Sequence, residues 1–290
     1  MKKILLYLLA CTVLLAAVIP PFVGYQQKKS FAEQIGVVPR GEVLRYVAAD
    51  QKEFLAASVV LKVLIYFGGR SQVLPNQVQL PVDYPGISRI LHSAVKLDPR
   101  NMDAHYFAQA ILVWDVKQID VANGLLEYGM RYRDWDFYLP FFVGFNSGYF
   151  LKDYEKAARM YRRAAELSGN PLFIQLAGRY LYEAGRTEHA IVYLTAMEKS
   201  TRNESVKKNL RTRLEALVAV RAIENARDLF ASRFGRQPHS IGELVQRGML
   251  SSIPHDPYGG TFYLDEDGSV RSTSKLAFGH LNQPSTEVTQ

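Results

Sequence analysis

Six histidines, 28 carboxylates and one cysteine are the side chains of this chain that could do chemistry. The histidines, His92, His105, His189, His239, His255 and His280, stand apart. None has the His-Glu-x-x-His spacing that puts two imidazoles on one helical face around zinc. His255 and Asp256 lie near Asp265 and Asp267, a grouping that could surround a hard cation. Asp267-Gly268 is also a turn signal, and the turn is the preferred reading. Asp115, Asp120, Asp134 and Asp136 fall in a ring-rich stretch. Glycoside hydrolysis needs two such groups facing across a cleft, and helix-terminal or loop roles are commoner. Gly259-Gly260 precedes a strand rather than a helix, so it fails as a phosphate cradle. A Gly-x-Ser-x-Gly nucleophile turn does not occur. Cys11 is alone, so neither an internal disulfide nor a cysteine metal site can form. The expectation is a protein that is not an enzyme and carries no cofactor and no metal.

What remains is binding chemistry, carried by 17 Tyr and 15 Phe. Net charge is +7, but bases and acids are interspersed, which reads as solvated surface rather than a nucleic-acid stripe.

The elements that must position these rings begin with an apolar run. Met1-Lys2-Lys3 is followed by uncharged residues 4–23, about 30 Å as a helix and enough for a bilayer core. Tyr7 and Tyr25 sit near its ends, where interfacial rings are favoured. Three readings fit: an uncleaved anchor, a signal peptide cut after Leu15-Ala16-Ala17, or a lipoprotein signal at Leu8-Leu9-Ala10-Cys11. The anchor is favoured, because apolar residues continue past both alternative sites. The flanks Lys2-Lys3 and Lys28-Lys29 nearly balance. A short N-terminal tail then places residues 30–290 outside the cytoplasm of a bacterial inner membrane, as a single-pass protein with its bulk periplasmic. That location removes most of the rationale for a nucleic-acid partner, and none is expected.

A linker over 30–41 leads to one long helical pattern from Glu42 to Phe67, stopped by Gly68-Gly69. Its second half is apolar almost all round, which predicts burial. Residues 70–85, with Pro75, Pro81 and Pro85, read as a loop, and a short helix spans Gly86 to Leu97. Then a pattern repeats. Ala122, Leu126 and Gly129 are followed by Ala157, Tyr161 and Ala164, then by Ala190, Leu194 and Met197. The leading alanines are 35 and 33 positions apart. Phe141, Gly144, Phe145 and Gly148 mark a partner helix, and Lys152-Asp153 and Gly185 mark inter-helix turns.

This spacing resembles tetratricopeptide repeats over about residues 86–200, near their period of about 34. The resemblance implies a mainly α fold: a helical-hairpin, TPR-like repeat superhelix whose first helices line a concave groove that binds a protein partner. The positions here that match the groove are Tyr106, Val113, Trp114, Phe142, Asn146, Tyr149, Tyr180 and Glu183. The competing expectation is that these side chains pack against neighbouring helices.

A long helix follows over 204–233, with Lys207, Lys208, Arg211 and Arg213 as a basic first half that reads as solvated surface. Ser240 and Glu243 form a capping-box pattern for a short helix. Thr261-Phe262-Tyr263-Leu264, Asp265-Glu266-Asp267-Gly268 and Ser269–Ser274 then predict a small β-hairpin. The stretch 229–274, above all Ile253-Pro254-His255-Asp256-Pro257-Tyr258-Gly259, resembles the C-terminal half of type II secretion pseudopilins. The N-terminus lacks the prepilin cleavage pattern, so the resemblance implies a local motif and not a filament.

The expected organisation is therefore 1–29 anchor, 30–85 helical lead-in and loop, 86–200 repeats, 201–235 long helix, 236–278 short helix with hairpin, and 279–290 flexible tail. The expected function is an envelope scaffold or adaptor that binds a protein partner in an assembly or export system. Two alternatives stay open: a structural part of a secretion or pilus-like apparatus, and an envelope protein that binds or processes carbohydrate.

Overall fold

The computed structural model describes residues 2–27, 35–36, 38–71 and 82–276. Lys28-Lys29, Pro75, Pro81, His280 and the expected tail at 279–290 lie outside the described residues, as does much of the expected linker and loop. The described chain is mainly helical, with one apolar N-terminal helix and one two-stranded sheet. It divides into two units, Met1–Asp134 and Trp135–Gln290, a boundary inside the stretch expected to be one run of repeats.

The first unit opens with α1 (Lys2–Gln27), whose stretch Tyr7–Gly24 has a mean hydropathy of 2.1 and holds no buried residue. It is long and apolar enough to cross a membrane. The single helix expected over 42–67 is instead two. α2 (Gly41–Ala48) ends at Ala49, which takes a positive φ of 45°, and a short turn leads into α3 (Lys52–Ser71). The break has a packing reason. Asp50, Gln51, Lys52 and Glu53 interrupt the apolar stripe, and the bend lets Leu44 and Ala48 of α2 and Ala56, Val60 and Val63 of α3 all be buried. Gly68-Gly69 does not stop α3, which continues to Ser71. Nor is its second half buried all round, because Leu61 and Ile65 stay exposed.

Both helices pack on α4 (Tyr84–Leu97), the centre of this unit. Asp83 caps α4 by accepting from the Gly86 amide at 2.9 Å, and its own amide donates to the Tyr66 hydroxyl of α3, also at 2.9 Å. Ile87, Leu91, Ala94 and Val95 are fully enclosed. α5 (Met102–Ala110), capped by Asn101, runs into a π-helical turn at Ile111–Asp115, and α6 (Ile119–Met130) folds back on it. The buried His105 lies where a side chain on Gly129 would be, and its Nε2 donates to the Pro99 carbonyl at 2.9 Å.

The second unit repeats that hairpin plan. α7 (Tyr138–Asn146) passes into a second π-helical turn, Ser147–Leu151, and α8 (Tyr154–Ser168) packs back against α7. α9 (Pro171–Glu183) and α10 (Thr187–Ser200) form the next pair, joined through Gly185 at φ +70°. Asp153 and Asn170 cap α8 and α9. The expected small–bulky–small faces are inward: Ala157, Tyr161, Ala164, Ala190 and Leu194 are all buried. The helices approach closely because glycine faces a ring. A Cβ on Gly148 would stand 2.5 Å from the Tyr180 ring, and one on Gly144 would stand 3.2 Å from that of Tyr161.

α11 (Glu204–Phe234) closes this layer. Leu210, Leu217, Val220, Ile223 and Phe230 share a core with Ala190 and Leu194. Its basic first half is partly neutralised, with Arg211 on Glu198 at 2.8 Å and Lys207 on Glu204 at 3.9 Å. Arg213 is buried and donates to the Leu276 carbonyl at 2.9 Å. Ser240 caps α12 (Ile241–Gln246), yet Glu243 does not close the expected box on Ser240. It accepts from the His239 amide at 2.8 Å and pairs with Arg236 at 2.5 Å. Those bonds, Arg236 first, hold the Glu243 carboxyl down at about 2.

The expected hairpin is present. β1 (Phe262–Leu264) pairs antiparallel with β2 (Val270–Ser272), Phe262 opposite Ser272. Gly268 sits at φ +79°, and its amide donates to the Asp265 carbonyl at 2.9 Å. Beneath it, Asp256 is buried and accepts from the Tyr258 amide at 2.9 Å, the Ser274 hydroxyl at 2.6 Å and the Ser272 hydroxyl. Gly260 abuts this knot: its Cβ would meet the Ser274 amide at 2.6 Å.

Two substitutions test the close-approach argument. Gly148→Ala is expected to cost about 1–3 kcal/mol through overpacking. Gly124→Ala, on α6 with nothing within 4 Å of its Cβ, is expected to gain about 0.5–1 kcal/mol. Denaturant unfolding of the full chain in detergent measures both, and equal midpoints for Gly148→Ala and the parent would refute the argument.

Candidate functional site

The residues expected to line a groove divide between the two units. In the first, Tyr106 on α5 and Trp114 in its π-helical turn are each about half exposed. The Tyr106 ring meets Phe107 edge-on at 5.5 Å, and the Lys117 amine stands 5.9 Å from the Trp114 ring centre. Val113 is fully buried and offers no surface.

In the second unit α7 and its π-helical turn carry a row of rings. Tyr138, Phe142, Phe145 and Tyr149 recur at spacings of four, three and four, which places them along one face. Tyr138 and Phe142 stack at 6.4 Å between ring centres, and Phe145 and Tyr149 at 5.4 Å with planes 7° apart. Tyr138 is 49% exposed and Tyr149 56%, so the row is open to a partner at both ends. The Lys152 amine lies 5.6 Å from the Tyr149 ring. At the head of the helix, buried Asp136 accepts from the Tyr138 amide at 2.9 Å, a helix-start role. Asn146, expected in the groove, is fully buried.

Two other expected groove residues are used inside the fold. Tyr180 stacks on Tyr161 at 5.4 Å with planes 6° apart and fills the space beside Gly148, and burial raises its hydroxyl pKa. Glu183 is held by Arg271 of the hairpin at 2.6 Å. Next to it the Tyr182 hydroxyl donates to the Val270 carbonyl at 2.6 Å, and from α11 Arg227 donates to the Gly268 carbonyl at 2.7 Å. The β-hairpin is thus clamped to α9 and α11. Tyr138 and Phe145, absent from the expected set, belong to the row. Their spacing from Phe142 and Tyr149 was the signal.

A cavity of about 380 Å³ on the second unit is lined by Glu155, Arg159, Leu181, Arg186 and His189. Glu155 and Arg186 bridge it at 2.9 Å. Among the described residues, no group of three or more His, Cys, Asp or Glu side chains is placed to hold a metal ion. Asp265 and Asp267 cap backbone amides within the hairpin turn, accepting from Glu266 at 3.0 Å and Ser269 at 2.8 Å.

Comparison with protein-family models and with curated proteins finds no match to this chain.

The hairpin clamp has a pH signature. Burial pushes the Tyr182 and Tyr193 hydroxyls up to about 12 from the ordinary 10.0, and raises Tyr161 as well. A raised folded value gives stability that is complete below the unfolded value and lost as pH climbs through the folded one. The second unit is expected to weaken between pH 10 and about 12. Tyr182→Phe is expected to flatten that slope while costing about 0.5–1.5 kcal/mol at neutral pH for the lost bond to Val270. Denaturant midpoints measured across pH check this, and an unchanged slope would count against it.

Proposed function

We propose that this chain is a membrane-anchored, TPR-like helical scaffold that binds a protein partner outside the cytoplasm and catalyses no reaction. α1 is the anchor, α5–α6 is a repeat-like helix pair of the first unit, and α7–α8 and α9–α10 are repeat-like pairs of the second. The observation that carries the reading is the row Tyr138–Phe142–Phe145–Tyr149. Stacked rings, half-exposed at the two ends of the row, supply contact area at low entropic cost, and aromatic anchors dominate protein interfaces. A helical or extended partner segment lying along α7 would bury them. On the first unit, Tyr106 of α5 and Trp114 of the π-helical turn after it offer the same chemistry.

A second reading, a structural part of a secretion or pilus-like apparatus, is favoured by the turn from Asp256 to Gly260 that leads into a clamped hairpin. Copurification with filament or secretion subunits, abolished by loss of the hairpin contacts but not of the rings, would select it.

The main test uses the full chain in its own membranes. A photoreactive phenylalanine analogue in place of Tyr149 is expected to give a discrete protein adduct, and one in place of Val192 on α10 is not. Tyr138→Ala combined with Tyr149→Ala is expected to weaken retention of the crosslinked partner by roughly tenfold or more, with helicity by circular dichroism unchanged. Equal labelling at both positions, or full retention by the double variant, would remove the basis of the proposal. Loss of helicity would instead assign the rings to the core.

A further inference from the structure

We infer that α3 rests on the membrane that α1 crosses, with its outward apolar face among the lipid headgroups and upper acyl chains. This rests on the reading of α1 as an anchor. On α3, Phe54 is 71% exposed, Leu61 55% and Ile65 69%, at spacings that put them on one helical face. From Phe54 to Gly68 the sequence holds no carboxylate, and its one cation is Lys62. The outward face of a helix in water is ordinarily its charged face. Here the inward face is also apolar, with Ala56, Val60 and Val63 buried toward α4. Beyond Glu53, neither side of α3 is built for water.

Lipid is the occupant that the chain itself brings close. Only residues 28–40 separate α1 from α2, so the reach between them is at most about 45 Å. The tether keeps the start of α2 within that distance of the end of α1, close enough for α3 to reach the bilayer surface. The run is too short to cross: residues 54–67 make about 21 Å of helix, against a core of about 30 Å. Rings and aliphatics without acids on the contacting face, and a flanking lysine that can reach anionic headgroups, are what an interfacial helix presents. Tyr46 on α2, 90% exposed, adds another ring of the kind that favours the interface.

The test uses full-length protein in phosphatidylcholine–phosphatidylglycerol vesicles, with Trp114→Phe and Trp135→Phe as background. Phe54→Trp and Ile65→Trp each report separately, and circular dichroism confirms that each variant keeps its helicity. If one misfolds, the other decides. The expected result is emission shifted to shorter wavelength, quenched by lipids brominated in the upper acyl chain and little affected by aqueous iodide. Quenching by iodide and not by lipid overturns the inference. Protection from both quenchers means that protein, such as a second copy of the chain, covers the face, and overturns it too. Cys11 separates the two readings. Its reaction with a membrane-impermeant maleimide in intact vesicles would refute the anchor and this inference together. Protected Cys11 with iodide-quenched tryptophan would refute this inference alone.

Discussion

The second unit depends on rings being admitted where a helix has no side chain. Gly148 and Gly144 leave room for Tyr180 and Tyr161, which stack face to face and are joined by Phe173 and Phe141. A methyl group at Gly148 would force the Tyr180 ring to move, and a ring that fills the gap cannot be replaced by a smaller side chain without leaving a void. The same logic sets His105 against Gly129 in the first unit. This complementarity fixes which way α7 is turned. With Gly144 and Gly148 facing inward, Tyr138 and Tyr149 are carried to the surface. The exposed row is therefore a by-product of how the interior is packed.

Features that depend on near neighbours in sequence were legible in it. The helix pairs, the left-handed Gly185, the hairpin turn at Gly268 and the inward Ala157–Tyr161–Ala164 face follow from local spacing and turn chemistry. Features that depend on distant partners were not. The bend at Ala49 exists because α2 and α3 both have to reach α4, and the run of residues 42–67 contains no proline or glycine to announce it. Glu183 carried no sign that Arg271 would claim it, and Glu243 none that Arg236 would draw it away from Ser240. Val113 and Asn146 sit on helices with apolar residues on several sides, so spacing alone could not tell groove from core.

Several of the polar residues that first suggested chemistry hold backbone in place. Asp256 gathers an amide and two hydroxyls, Asp136 starts α7, and Asp265 and Asp267 shape a turn. Buried or short-range carboxylates of this kind are satisfied by donors of the chain itself. Tyr138 and Tyr149, by contrast, are about half open to solvent.

The clamp between α9 and the hairpin also orders events in time. Tyr182 and Val270 are 88 positions apart, as are Glu183 and Arg271, whereas α7 to α10 meet helices adjacent to them in sequence. A chain that emerges from its N-terminus can pair those helices while synthesis is still under way. Closure of the hairpin has to wait for residues 262–272. A ribosome stalled before residue 270 would hold a nascent chain whose Tyr182 and Glu183 still face water, open to chaperones or proteases that the finished protein excludes.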